Sequence, residues 1–350
     1  MSETTKIQWA DHTGSPWYVC TEVNEDCADC YAKALSKGRM RNITGGNWGK
    51  GAPRVRAKAF WTDALKWNKN PWVCDLCGKS YPMRGMHPDC DGEDRQMHRA
   101  RMFPSLCDWL DEEAPIEWLA DFLKVVEATQ NLIWMLLTKR PELWRERLEA
   151  VSEFCSGKPE YLYAGLMVDL WLANEPQAPQ NVWIFVSAGN QKNADVMIPR
   201  LVEIPAVIHG VSAEPLIGPI DFESVGPNSR TGGGKNGCTG GFVFNSLTGE
   251  APYYRESDGE PCIRYLDSVD MVIFGGESTQ GKPARACNIE DIRSGVQQCR
   301  ECDVKAYVKQ MGSNAQIGGI RVPFKDKKGG DMEEWPKDLR VREWPEGAYQ

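Results

Sequence analysis

"LIWMLLTKRPELWRERLEAV" (132–151) decides how the chain is read. It begins as an unbroken apolar run of the length that suits a strand covered on both faces. The run closes on Thr138, Lys139 and Arg140, and Pro141 then opens a segment of helical periodicity. Strand, polar loop and helix follow one another within twenty residues. That is the grammar of a β/α unit.

The same grammar recurs outward from this stretch. "VWIFVSAGNQ" (182–191), "AVIHGVSAEP" (206–215), "VDMVIFGGES" (269–278) and "VKAYVKQMG" (304–312) are apolar runs that end abruptly in polar or glycine-rich residues. "IQWA" (7–10) and "RARMFPSL" (99–106) supply two further candidate strands. Helical periodicity marks 115–130 and 288–302, the latter with Asn288 placed as an N-cap and acids in its first turn. The pattern predicts an α/β fold, a single TIM-type (β/α) barrel over 1–350, complete or incomplete. An open doubly wound sheet is the second choice. Segments 70–98 and 222–267, rich in Cys, Gly, Pro and charge, break the alternation and are read as insertions.

Strand ends of a parallel sheet share one face, where such folds place their sites. Lys139, Arg140, Asn190, Glu214, Glu277, Lys309 and Gln310 are therefore expected around one pocket. The chain has 350 residues, 41% of them hydrophobic, with no apolar run of membrane-spanning length and no apolar leader in "MSETTKIQWADHTG". A cytoplasmic protein without a membrane partner is expected. A net charge of −8 excludes coating of nucleic acid by bulk electrostatics. It leaves room for a local basic surface, because "KGRMRNITGGNWGKGAPRVRAKAFW" (37–61) holds many Lys and Arg and no acid. A solvated loop and helix start reads equally well there.

Thirteen cysteines in a reducing compartment point to metal before disulfides. "CTEVNEDCADCYAKAL" places Cys20, Cys27 and Cys30 on one loop as C-x6-C-x2-C. A zinc site wants a fourth ligand, which His12 or a distant cysteine would supply. A [4Fe–4S] cluster held by three cysteines instead keeps one iron for a non-protein ligand. Radical SAM enzymes use that vacancy for S-adenosylmethionine. Unligated buried thiols are the third reading. In the first insertion Cys74, Cys77, His87 and Cys90 form a knuckle-like set suited to structural zinc, with His98 or Cys107 as substitutes for His87. Cys299 and Cys302 read as ordinary buried thiols, and Cys238 and Cys262 sit undecided in the second insertion.

"CTEVNEDCADCYAKAL", "MFPSLCDWLDEEAP", "LTKRPELW", "VWIFVSAGNQ", "IPAVIHGVSAEPLIGPIDF", "VIFGGES" and "QCRECDVKAYVKQMG", in this order, resemble the three-Cys-motif family of phage and mobile-element proteins. The resemblance covers nearly the whole chain outside the two insertions. It implies a radical-SAM-like barrel that binds a [4Fe–4S] cluster through Cys20, Cys27 and Cys30. By the same likeness, Gly275, Gly276, Glu277, Ser278 and Glu214 would bind the S-adenosylmethionine head. Lys139, Arg140, Glu214, Lys309 and Gln310 would face the reacting groups. A nucleotide or nucleic acid is the implied substrate, and a three-Cys-motif partner protein the implied associate. Two departures stand out. "GSPWYVC" replaces the family's Asn-Pro turn and glycine, and the Gly-Gly-Glu tripeptide follows a late strand instead of the second. A non-catalytic, metal-dependent binding module is the alternative. A metal-dependent hydrolase is disfavoured, since no HxxEH, GxSxG or P-loop motif occurs.

Overall fold

The apolar runs become the strands of one sheet. A computed structural model describes residues 5–85, 90, 96–173, 178–226, 243–254, 261–279 and 282–349. Its main sheet has seven strands: β1 (His12–Thr13), β2 (Arg101–Phe103), β3 (Ile133–Thr138), β4 (Val182–Ser187), β5 (His209–Ala213), β6 (Met271–Gly275) and β7 (Lys305–Gln310). Their order in the sheet is their order in the chain. The pairs β1–β2, β2–β3, β5–β6 and β6–β7 are parallel. A doubly wound sheet reverses its strand order at a switch point. This one does not, so the second-choice fold fails. Sequential winding is what a partial barrel requires.

Two compact units make up the chain: Met1–Ile184 with Pro205–Val207 and Glu346–Gln350, and Phe185–Ile204 with Ile208–Pro345. In the first, helices α1 (Tyr31–Lys37), α2 (Phe60–Trp67), α3 (Ile116–Ala128), α4 (Trp144–Cys155) and α5 (Leu162–Ala173) accompany β1 to β3. β3 is continuously apolar because almost every position is covered. α3 turns Leu119, Phe122, Leu123 and Val126 inward, all without exposed surface. Burying each such side chain contributes about 1.5–3 kcal/mol. The rings of Phe60, Phe122 and Trp134 meet at 5.4–6.0 Å in edge-on or tilted contacts, and Trp17 joins Phe122 at 6.4 Å. Pro141 does not begin the α-helix itself. It opens a 3₁₀ turn, Pro141–Leu143, that runs into α4.

The expected strand at 7–10 is a turn, closed by Ala10 N–H donating to the Ile7 carbonyl at 3.1 Å. Trp9 and Ala10 are buried there, Trp9 against the Phe103 ring at 4.4 Å. Pairing starts two residues later, where His12 and Thr13 face Met102 and Phe103.

In the second unit, α6 (Gln191–Leu201) is capped by the Asn190 side chain and α7 (Ile289–Glu301) by that of Asn288. α7 buries Ile289, Ile292, Val296 and Cys299. Gly295 lies under the Phe274 ring, where a Cβ would sit 2.4 Å from a ring carbon. β6 and β7 slip register between Phe274 and Gly275, so that Phe274 faces Val308 while Gly275 faces Gln310. The extra residue is Lys309. A bulge of this kind re-aims side chains at a strand end. The segment read as a loop-rich insertion contains an antiparallel hairpin, Glu250–Tyr254 with Pro261–Tyr265. Cys262 lies on it, and Cys238 falls outside the described residues.

Candidate metal and strand-end sites

The cysteine loop follows β1 and is shaped by its own short turns. Asn24 accepts from Asp26 N–H at 3.2 Å and caps a 3₁₀ turn, Glu25–Cys27. Cys27 N–H donates to the Asn24 carbonyl, and Cys30 N–H to that of Cys27. Cys27 is buried, and Cys20 and Cys30 are half-buried. α1 begins directly after Cys30.

Two buried arginines hold this loop from behind. Arg140 donates through Nη2 to the Thr21 carbonyl at 2.8 Å, and its Nη1 approaches the Cys20 Sγ at 3.7 Å. The same Nη1 donates to Asp108 at 2.9 Å, and Glu112 lies 2.7 Å from Nε. Arg54 forms a two-pronged bond to Asp111, at 2.8 and 2.9 Å, and reaches the Thr21 hydroxyl at 2.6 Å. Glu113 accepts from Thr21, Arg54 and the Gly51 N–H. The carboxylates all come from "CDWLDEEAP" (107–115). That loop is itself anchored by Trp109, whose ring stacks on Trp171 at 6.1 Å. Asp108 also accepts from Thr138 Oγ1 and Lys139 N–H, which ties the end of β3 to the same carboxylate.

These neighbours set the thiols. Burial, reinforced by Asp108, pushes Cys20 up to about 12, with Arg140 pulling the other way. Burial raises Cys30 too, while the Lys139 charge opposes it. Cys107 is pushed well above its ordinary value by burial, then by Asp108 and Cys20. Sulfurs so placed take the thiolate form only when a cation compensates them. Cys20, Cys27 and Cys30 share one loop, an arrangement that suits a metal centre whose ligands sit on separate ions. Of the residues offered as alternatives, His12 stacks on Trp67 at 4.5 Å and is buried.

The first insertion forms a small antiparallel sheet, Ser80–Tyr81, Trp72–Cys74 and Met97–Arg99, with Trp72–Cys74 in the middle. Gly78 closes the knuckle by donating to the Cys74 carbonyl at 2.8 Å, with φ of +68°. That conformation strains any residue with a Cβ. The sulfurs of Cys74, Cys77 and Cys90 lie within 4.8 Å of one another. They can share one ion. His87 falls outside the described residues. His98, its proposed substitute, has both ring nitrogens engaged. Nδ1 meets Asp75, and Nε2 meets Asp11 at 3.0 Å. Burial and Arg101 would lower His98, yet the two carboxylates raise it. Burial would raise Asp11, but Arg101 and His98 hold it well below the usual range. His98 therefore docks the knuckle onto the residue before β1 and is not a ligand here. Cys107 lies instead with Ser15 and Cys20. If Cys74, Cys77 and Cys90 hold an ion, stripping the protein with a chelator should release one metal ion per chain and expose their segment to limited proteolysis, and Cys77→Ser should do the same without chelator. Unchanged protease resistance after metal loss would remove the stapling role.

In the second unit, the groups at the ends of β5 to β7 meet one another. Lys309 Nζ lies 2.8 Å from Glu214 Oε1, with both side chains largely covered. A Cβ on Gly275 would sit 2.5 Å from that same Oε1, and one on Gly276 would sit 2.2 Å from the Met311 carbonyl oxygen. Neither glycine has a left-handed φ. Close approach, not turn conformation, requires them. Gln310 donates to the Gly276 carbonyl at 2.7 Å and to Ser278 Oγ at 2.8 Å. Glu277 is taken by Arg285, whose N–H and guanidinium both bind the carboxylate at 2.7–3.2 Å. Asn190 caps α6 and accepts from Asn193 N–H at 3.0 Å.

Arg54, Asp108, Asp111, Glu113 and Arg285 were not read from the sequence as site residues. The run of four acids in "DWLDEE" (108–113) was the available signal. The basic stretch 37–61 is not uniformly a surface, since Arg54 within it is buried in the acidic loop.

The chain belongs to the family described as "Protein of unknown function (DUF5131)", which matches residues 4–341. No curated protein and no solved structure matches it. Among the described residues, no helix is long and apolar enough to cross a membrane.

Proposed function

We propose that the chain is a radical-SAM-type iron–sulfur enzyme built on a TIM-type barrel, acting on a nucleotide or nucleic acid. Cys20, Cys27 and Cys30 would hold a [4Fe–4S] cluster. The observation that carries the reading is their shared loop directly after the first strand of a sequentially wound sheet, with a guanidinium directed at one of the sulfurs. When bound, the cluster and S-adenosylmethionine supply one-electron reduction and sulfonium cleavage. The side chains do the rest.

Glu214 and Lys309 offer a carboxylate and an ammonium side by side, complementary to the ammonium and carboxylate of a methionine head. Gly275 leaves the space that the Glu214 carboxylate occupies. Gln310, through Gly276 and Ser278, fixes the loop beside them. Glu277, already held by Arg285, serves as a brace in this reading, and the amine falls to Glu214. The exposed cations Lys37, Arg39, Arg41, Lys50 and Lys58 favour a phosphodiester substrate. Cys74, Cys77 and Cys90 supply a separate zinc knuckle. That knuckle also favours the second reading, a non-catalytic module that docks nucleic acid or a three-Cys-motif partner protein.

Protein purified and reconstituted without oxygen separates the two. About four irons per chain, plus an EPR signal of the reduced sample that S-adenosylmethionine perturbs, is the expected result. Zinc without iron would eliminate the enzyme reading and leave the binding module.

A further inference from the structure

We propose that Arg140 is a positioning residue that donates to the sulfur of Cys20 and tunes the metal centre from behind, and does not contact substrate; this rests on the iron–sulfur reading above. The sequence places Arg140 at a strand end among substrate-facing groups, yet the residue is only 2% exposed. Its guanidinium is turned toward protein groups. Asp108 and Glu112 hold one side, the Thr21 carbonyl accepts from Nη2, and Nη1 points at the Cys20 Sγ. At that burial the guanidinium does not reach a phosphate in solvent, and it is aimed at the sulfur.

The support for that aim is strong. Asp108 accepts from Leu110 N–H, Thr138 Oγ1, Lys139 N–H and Arg140, so its carboxylate cannot swing away and take the guanidinium with it. Trp109, next in the chain, is pinned on Trp171. The planar fork bridges the Thr21 carbonyl and the sulfur of the preceding residue at once, fixing the Cys20–Thr21 peptide against the ligand. Outer partners of this kind orient ligands and set potentials, and hydrogen bonds to cluster sulfurs and local charge are among the determinants. A fixed cation beside the sulfur favours the state carrying one more electron.

Arg140→Gln should therefore disfavour cluster reduction about tenfold, a fall of 59 mV for a one-electron couple, with iron content retained. Arg140→Lys keeps the charge but cannot bridge both acceptors, so its potential should fall less. The midpoint potential is read by EPR-monitored titration of the reconstituted protein. A second readout needs no iron: alkylation of the metal-free protein at one fixed pH, mapped by mass spectrometry. Cys20 should react several-fold more slowly in Arg140→Gln than in the parent chain, with Cys27 unchanged. If the parent chain binds no iron, the enzyme reading fails while the alkylation pattern still decides the contact. Unchanged Cys20 reactivity in both variants, or an unchanged potential in folded Arg140→Gln, would overturn the proposal. Should Arg140→Gln not fold, Arg140→Lys decides it alone: parental values of both readouts refute it, and an intermediate shift supports it.

Discussion

If Cys20, Cys27 and Cys30 hold a cluster, Cys27→Ala should yield a folded chain that loses the iron and keeps any metal bound at Cys74, Cys77 and Cys90. The substitution removes one small, buried sulfur that hydrogen-bonds the Asn24 side chain 3.6 Å away. The turn around it is held by backbone bonds and by the Asn24 cap, none of which uses the thiol. A stability loss of about 1 kcal/mol is therefore expected, the ordinary cost of a point substitution. The effect on the metal is of another order. With two thiolates instead of three, the cluster has two irons without protein ligands, and occupancy should fall from about four irons to well under one. The Cys74, Cys77 and Cys90 group shares no ligand with this loop, so any zinc bound there should stay at the parental content. Reductive cleavage of S-adenosylmethionine should vanish with the iron. Iron and zinc measured on the same sample, beside a melting curve, make the test. A Cys27→Ala chain that keeps four irons would show that the cluster, if there is one, sits on other cysteines. Loss of folding together with loss of zinc would mark the loop as a structural metal site.

The sequence reading succeeded where the physics is local. β4 is covered at every position and β3 at all but Leu137, and such coverage demands the continuous apolar runs that gave them away. α7 announced its start through Asn288 and the acids behind it, because a cap is a contact between near neighbours. Other features were silent for equally physical reasons. α5 is apolar on nearly all sides, leaving Leu162, Tyr163 and Leu166 exposed, and so shows no periodic stripe to read. The segment 7–10 buries its apolar residues in a turn, which a short run cannot distinguish from a strand. The Gly-Gly pair is constrained by atoms distant in the chain, the Glu214 carboxylate sixty-one residues before Gly275 and the Met311 carbonyl against Gly276. The strand-end set was legible as a list but not as partnerships. That Arg140 meets Cys20 and Lys309 meets Glu214 depends on which chains cross in space.

Arg54 makes the last point measurable. It lies in the basic stretch, where a sequence reading offers it to phosphate, yet its side chain is 1% exposed and that of Asp111 is 0% exposed. Arg54→Met should therefore lower stability by about 3–5 kcal/mol, because it strands a buried carboxylate without its counter-charge. Losing the charge on the surface of a phosphate-binding stretch would cost a small fraction of that. The two accounts differ again in the double variant. If the cost is the orphaned carboxylate, Arg54→Met with Asp111→Leu should recover much of it, since a buried ion pair replaced by apolar groups of similar volume is often neutral. The recovery should stay incomplete. Asp111 also accepts from the Glu113 N–H, and Arg54 also steadies Thr21 and the Gly49 and Ala52 carbonyls. Chemical denaturation of the three variants reads these differences directly. Equal stability of the single and double variants would mean that the pair contributes through loop bracing alone. Arg54→Met at parental stability would return Arg54 to the surface, and with it the acidic loop's claim to hold Cys20 and Thr21 in place.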